Sequence, residues 1–167
     1  QFLLTTLFIG FSMGIAPIIS YNFGANNYYR LKKIYKICIS FIFVGSIFIF
    51  ALSFINGNSL VHLFTGTNEA VYKIAIKVLF AFSFLFLGFN IFSSAIFTAL
   101  SNGKLSALIS FLRTFGFIMI GLLIMPQFIG ITGVWLAVPI AEILTLCVSV
   151  YLNFRLLRSW NNQNNSY

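Results

Sequence analysis

Apolar runs of about twenty residues recur along the chain, and each stops at a cluster of Gly, Asn or Pro. They extend from about Phe2 to Phe23, Ile37 to Ile55, Val78 to Leu100, Leu105 to Met125 and Val134 to Phe154. At about 1.5 Å of rise per residue such runs cover a hydrocarbon core of about 30 Å, so the pattern predicts an all-α membrane protein with five transmembrane helices. The expected breaks are Gly24-Ala25-Asn26-Asn27, Asn56-Gly57-Asn58, Ser101-Asn102-Gly103 and the stretch from Pro126 to Gly133. Residues 1–158 form the helical unit. Residues 159–167 are polar, uncharged and without hydrophobic period, and read as a disordered tail. The apolar run beginning at Phe2, with no initiator Met and no basic leader, reads as the front of a C-terminal piece of something longer.

One connection is long, from about Asn58 to Lys77. Leu60, Val61, Leu63 and Phe64 make an apolar patch there, and Thr67 or Asn68 could cap a short surface helix with Glu69 in its first turn. His62 sits in that patch as an interfacial polar residue with no second ligand nearby.

Composition supports a bilayer as solvent. Of 167 residues 60% are hydrophobic and only ten Lys/Arg and two acids carry charge, against roughly a quarter charged in soluble domains. Two acids, one His and two Cys are too few for a zinc cluster, a calcium loop or a disulfide framework. No nucleophile–base pair or metal-ligand set suggests a membrane-embedded enzyme. The cations are sorted by topology: Arg30, Lys32, Lys33 and Lys36 follow the first run, Lys104 and Arg113 lie at the turn between the third and fourth, and Arg155 and Arg158 follow the fifth. With five spans these places share one side, predicted cytoplasmic together with the C-terminus, while Lys73 and Lys77 fall on the other. The excess of positive charge therefore needs no nucleic acid; its natural partner is anionic lipid.

Polar residues inside the runs need partners or a wet cavity. In the fifth run Glu142, Thr145, Ser149 and Asn153 share one helical face, with Trp135 extending it. Glu142 is the one carboxylate in any run, a candidate to exchange protons or hold a coupling ion, or else a hydrogen-bonding tie to a neighbouring helix. Pro139, one turn earlier, cannot donate to the Trp135 carbonyl, and Pro17 likewise frees the Met13 carbonyl and should bend the first helix. In the third run Ser83, Asn90 and Ser94 form a stripe with Ser93 beside it; Asn90 could recognise a substrate or bind the next helix. Ser106, Ser110 and Thr114 form a small-residue seam for close helix packing. Arg113, about two turns into the fourth run, either snorkels to the headgroups or pairs with an acid from outside this chain. Cys38 and Cys147 read as small apolar packers, and the 22 Phe residues as lipid-facing bulk.

Several stretches resemble the multidrug and toxic compound extrusion (MATE) family. Gly14-Ile15-Ala16-Pro17-Ile18-Ile19-Ser20-Tyr21-Asn22-Phe23-Gly24-Ala25-Asn26 is similar to the segment closing the second helix of that family's C-terminal half. Ala99-Leu100-Ser101-Asn102-Gly103-Lys104 with Ser110-Phe111-Leu112-Arg113 resembles the turn into its penultimate helix. Phe128-Ile129-Gly130-Ile131-Thr132-Gly133-Val134-Trp135-Leu136-Ala137-Val138-Pro139-Ile140-Ala141-Glu142 resembles the entry into its last, and the outer stretch from Leu63 to Glu69 also fits.

The resemblance implies twelve spans in two six-helix lobes around a central cavity, with this chain as the last five helices of the C-terminal lobe. The partners would then be the bilayer, the N-terminal lobe with the first helix of the C-terminal lobe, and small-molecule substrates. It further implies secondary active export of cationic or amphipathic compounds by antiport against H+ or Na+, with no cofactor. Some members couple through an Asp in the first helix of the N-terminal lobe and others through C-terminal-lobe acids; the third run here has none, which leaves Glu142. On this expectation Glu142 with Thr145 is the ion-coupling site, Asn90 and Ser94 face the same interior, and Pro17, Pro139 and Arg113 serve structure or gating. The rivals are a lipid-linked oligosaccharide flippase of related architecture, for which only Arg113 could contribute a cationic group to the cavity, and an inactive truncated product.

Overall fold

The computed structural model describes residues 2–62 and 86–164. All regular structure among the described residues is helical. Helix α1 spans Phe2–Gly24 and α2 Tyr28–His62. Helix α3 is described over Phe86–Ala99, α4 covers Gly103–Ile129, and α5 runs from Ile131 to Asn164. Four of them are long and apolar enough to cross a membrane. The surface-helix expectation from Leu63 to Lys77, and Ser83, lie outside the described residues.

Two tight turns use one device. After α1, Asn26 adopts φ 52°, its N–H donates to the Phe23 carbonyl, and the Asn27 N–H reaches back to the Asn22 carbonyl. After α3, Ser101 adopts φ 59°, its N–H donates to Thr98, and the Asn102 N–H to Phe97. This pairing satisfies the last carbonyls of each helix. The next helix then starts on a side-chain cap: Asn27 Oδ1 accepts from the Arg30 N–H at 3.0 Å, and Asn102 Oδ1 from that of Leu105 at 3.4 Å. The Ser20 hydroxyl donates to the Ala99 carbonyl at 2.8 Å, which puts both turns at the same end of the bundle.

Helix ends depart from the sequence expectation in three places. Helix α2 begins at Tyr28, takes Arg30 through Lys36 into its first turns, and passes Asn56-Gly57-Asn58 without stopping. Hydropathy marks what a bilayer holds, whereas Asn and Gly inside a helix cost only about 1 kcal/mol or less relative to Ala. Helix α4 continues through Pro126, whose fixed φ suits a helix, and the break is confined to Gly130 at φ 64°. Residues 159–164 are helical, not disordered: α5 continues to Asn164, and Trp160, 2% exposed, packs edge-on against Tyr35 at 6.2 Å. Helix α1 runs unbroken through Pro17, which faces outward.

The core lies among α1, α2, α3 and the final turns of α5. Phe8, Ile19, Leu31, Ile42, Phe92, Ile96 and Phe97 are buried together, so these three Phe are core, not lipid-facing bulk. Cys38 is buried with them, but Cys147 is exposed on α5. A Cβ on Gly88 would fall 2.8 Å from Phe8, and one on Gly121 3.0 Å from the Ala137 Cβ; both glycines permit close helix approach. Residues Leu112–Gly116 of α4 form a π-helical turn, in which the Phe117 N–H reaches five residues back to the Leu112 carbonyl.

Two stability predictions follow from these contacts. Ser101→Gly removes the Cβ penalty of a left-handed backbone, roughly 1–2 kcal/mol, from an exposed position, and should raise the melting temperature in detergent. Trp160→Ala should cost about 3 kcal/mol and lower it; unchanged melting would mean that the last turns of α5 add nothing to the core.

Candidate functional site

The polar face of α5 is buried as the 3.6-residue period requires: Glu142, Thr145, Ser149 and Asn153 are each 4% exposed or less. Helix α3 presents Asn90 and Ser93 to this face, both fully buried, α4 brings Arg113 from its π turn, and α2 brings Tyr35. Arg113 stands 17 residues before Gly130 and Glu142 12 after it. In an antiparallel hairpin that offset is about 7 Å along the axis, which an arginine side chain spans.

Glu142 is held from two sides. The Asn90 amide donates both its protons, one to Glu142 Oε2 at 2.8 Å and one to the Glu142 carbonyl at 3.0 Å. Arg113 Nη1 lies 3.8 Å from Glu142 Oε1, the one ion pair among the described residues. At that distance the pair is electrostatic, lacking the 2.7–2.9 Å contact of a charge-assisted hydrogen bond. Arg113 Nε and Asn90 Oδ1 are buried without a hydrogen-bond partner among the described residues. The cluster thus neutralises a buried carboxylate with a nearby cation while leaving one donor and one acceptor uncommitted.

A second polar layer lies toward the C-terminal end of α5. Tyr35 donates its hydroxyl to Asn153 Oδ1 at 3.0 Å, and the Asn153 amide donates to Ser93 Oγ at 2.9 Å and the Ser149 carbonyl at 2.8 Å. Ser93 passes its own proton to the Phe89 carbonyl at 2.8 Å, so the direction of the chain is fixed. Every hydrogen-bonding group of the Asn153 amide is engaged, and α2, α3 and α5 meet there.

The structure therefore joins Glu142 with Asn90 and Arg113, whereas no hydrogen bond among the described residues links Thr145 or Ser94 to the carboxylate. The Thr145 hydroxyl is buried but donates to the Ala141 carbonyl of its own helix at 2.7 Å. Ser94 belongs to the α3–α4 seam, where its hydroxyl meets those of Ser106 at 3.0 Å and Ser110 at 2.7 Å. Pro139 is buried on α5 one turn before Glu142. Arg113, 16% exposed, faces an acid of this same chain. Sequence reading missed that pairing, although the sole cation and sole anion inside the membrane runs are natural partners; it also missed Tyr35, which lies ahead of the apolar run. No group of His, Cys, Asp or Glu that could hold a metal occurs among the described residues.

Long apolar helices closing around a buried polar seam define a multi-pass membrane protein. The MatE family profile matches residues 1–124, and the chain belongs to this family. It is 34% identical over 147 residues to the multidrug export protein MepA of Staphylococcus aureus (strain NCTC 8325 / PS 47), a match covering 84% of this chain and 31% of that protein. The chain thus spans about a third of the length of the curated relatives it matches. Its fold matches the Vibrio cholerae MATE transporter VcmN in the bent form with a TM-score of 0.80 at 21% identity, over 97% of this chain and 37% of that one. An outward-facing multidrug resistance MATE family transporter of the MOP superfamily gives 0.79 at 20% identity, over 95% and 37%. At such identities the likeness establishes fold. Glu142 lies beyond the profile match, so its place is set by the geometry of α5.

A double-mutant cycle should expose the Asn90–Glu142 tie. Asn90→Ala and Glu142→Ala should each lower stability in detergent, and the cycle should return a coupling of about 1 kcal/mol, the scale of interhelical hydrogen bonds in membranes. Additive effects would remove the tie.

Proposed function

We propose that the chain forms the last five helices of the C-terminal lobe of a twelve-helix, two-lobe antiporter that exports cationic or amphipathic compounds against H+ or Na+. The observation that carries this reading is the buried Glu142, embraced by Asn90 and Arg113 across three helices. MepA, to which the chain is similar, is a multidrug export protein, which points the same way. In this reading Glu142 binds the coupling ion, with Thr145 lining the adjacent wall and Asn90 setting the carboxylate's position. Loading a proton or sodium ion removes negative charge from the site and favours one lobe arrangement over the other, which is coupling by differential stabilisation. Ser94 contributes through the α3–α4 seam, and Pro139 leaves a backbone carbonyl free near the acid.

Residues 1–158 act as the transmembrane unit in the cell membrane, with residues 159–167 at the cytoplasmic end. Supporting that orientation, the α1–α2 turn, the α3–α4 turn and the end of α5 carry Arg30, Lys32, Lys33, Lys36, Lys104, Arg155 and Arg158, and contacts of Ser20 with Ala99 and of Tyr35 with Trp160 gather them at one end. A pyrophosphate-binding flippase is disfavoured because Arg113, the one cation within these helices at the site, already faces Glu142.

Glu142→Gln in the full-length transporter should reduce efflux of a cationic dye from cells at least about fivefold, the lower range of energetic coupling between sites, with membrane insertion intact. Efflux at the wild-type rate would reduce Glu142 to packing.

A further inference from the structure

We propose that Arg113 is a tethered counter-cation that occupies Glu142 when no cargo is bound, and that an organic cation bearing N–H groups takes the carboxylate by displacing it. The inference deepens the transport reading, on which it rests, by naming what competes for the acid. Arg113 holds Glu142 through a single long contact of 3.8 Å, and its Nε has no partner among the described residues. A guanidinium set to stay would use its planar fork in two short parallel bonds. Coulomb attraction varies inversely with distance, so an ammonium or amidinium N–H closing to about 2.8 Å gains about a third more attraction than Arg113 has now.

The backbone allows the exchange. Arg113 sits in the π turn Leu112–Gly116, where the regular helix ladder is interrupted, and its side chain is 16% exposed, unlike the fully buried Asn90. A displaced guanidinium can extend along its apolar stem toward the basic end of the bundle. Asn90 stays in place, since its amide also holds the Glu142 carbonyl, and its Oδ1 can accept from an N–H of the incoming cation. Displacement therefore breaks one long contact, forms a shorter one and keeps the carboxylate oriented. A permanently paired Glu142–Arg113 would instead exclude cations from the site.

The test measures proflavine, a fluorescent monocation with amino groups, binding to the purified full-length transporter in detergent. Arg113→Gln should tighten binding about five- to tenfold, and Arg113→Gln with Glu142→Gln should abolish the gain. In Arg113→Ala, added guanidinium ion, the free form of the lost head group, should reverse the tightening by refilling the place beside Glu142. Should the neutral variants fail to fold, Arg113→Lys, which keeps the charge on a shorter reach, should still tighten binding about twofold. Equal or weaker binding on removal of Arg113, or a gain that survives the loss of Glu142, overturns the proposal. Dye efflux by Glu142→Gln is read separately, so tightening alongside undiminished efflux would remove the coupling role and leave the counter-cation standing.

Discussion

A carboxylate held inside a bundle of apolar helices constrains everything around it. Removing an ion from water costs several kcal/mol even after relaxation, and the cost is met only where a counter-charge and hydrogen-bond donors are already placed. Glu142 on α5 therefore dictates that α4 turn Arg113 toward it and that α3 present Asn90. A second contact ties two of the same helices: Ser93, three residues further along α3, faces Asn153, eleven further along α5, and Tyr35 of α2 completes this layer. Apolar burial cannot align helices in this way, because lipid tails offer the same contacts as leucine.

Most of this was legible from period and composition. The alternation of apolar runs with Gly, Asn and Pro clusters located the breaks at Asn26, Ser101 and Gly130 but not at Asn56-Gly57-Asn58, which α2 passes, and the face carrying Glu142, Thr145, Ser149 and Asn153 followed from spacing alone. Helix ends were not legible, because a hydropathy run records the bilayer's limits while backbone hydrogen bonds continue past them: Arg30 to Lys36 and Ser159 to Asn164 are helical though polar. Nor was the separation of Ser94 from Asn90. They stand four residues apart on α3, near enough in angle to suggest one surface, yet α4 packs against one edge of that surface and α5 against the other.

The small residues explain how such edges can differ so sharply. Gly121 lies against Ala137, and a Cβ on Gly133 would collide with the Met125 carbonyl, so α4 and α5 pack nearly backbone to backbone around Gly130. On the opposite edge of α3, Gly88 receives the Phe8 ring. Close approach on the α4–α5 side brings an arginine within reach of the acid; bulkier spacing there would leave Glu142 facing α4 across a gap no side chain of the seam could bridge. The π turn adds to this by advancing the azimuth of Arg113 relative to the seam serines that precede it.

The two polar layers differ in one respect that bears on role. Asn153 has its oxygen and both amide protons engaged by protein groups, as a residue fixing helices should. Asn90 gives both protons to one residue and leaves its oxygen without a partner among the described residues, beside an arginine that uses one nitrogen at long range and leaves Nε unengaged. Groups of this kind are costly to bury and rare in a finished interior. Around Glu142, the one buried carboxylate among the described residues, the Asn90 oxygen and Arg113 Nε are thus left open, whereas in the Tyr35–Asn153–Ser93 layer the Asn153 amide is fully engaged and ties α2, α3 and α5 in alignment.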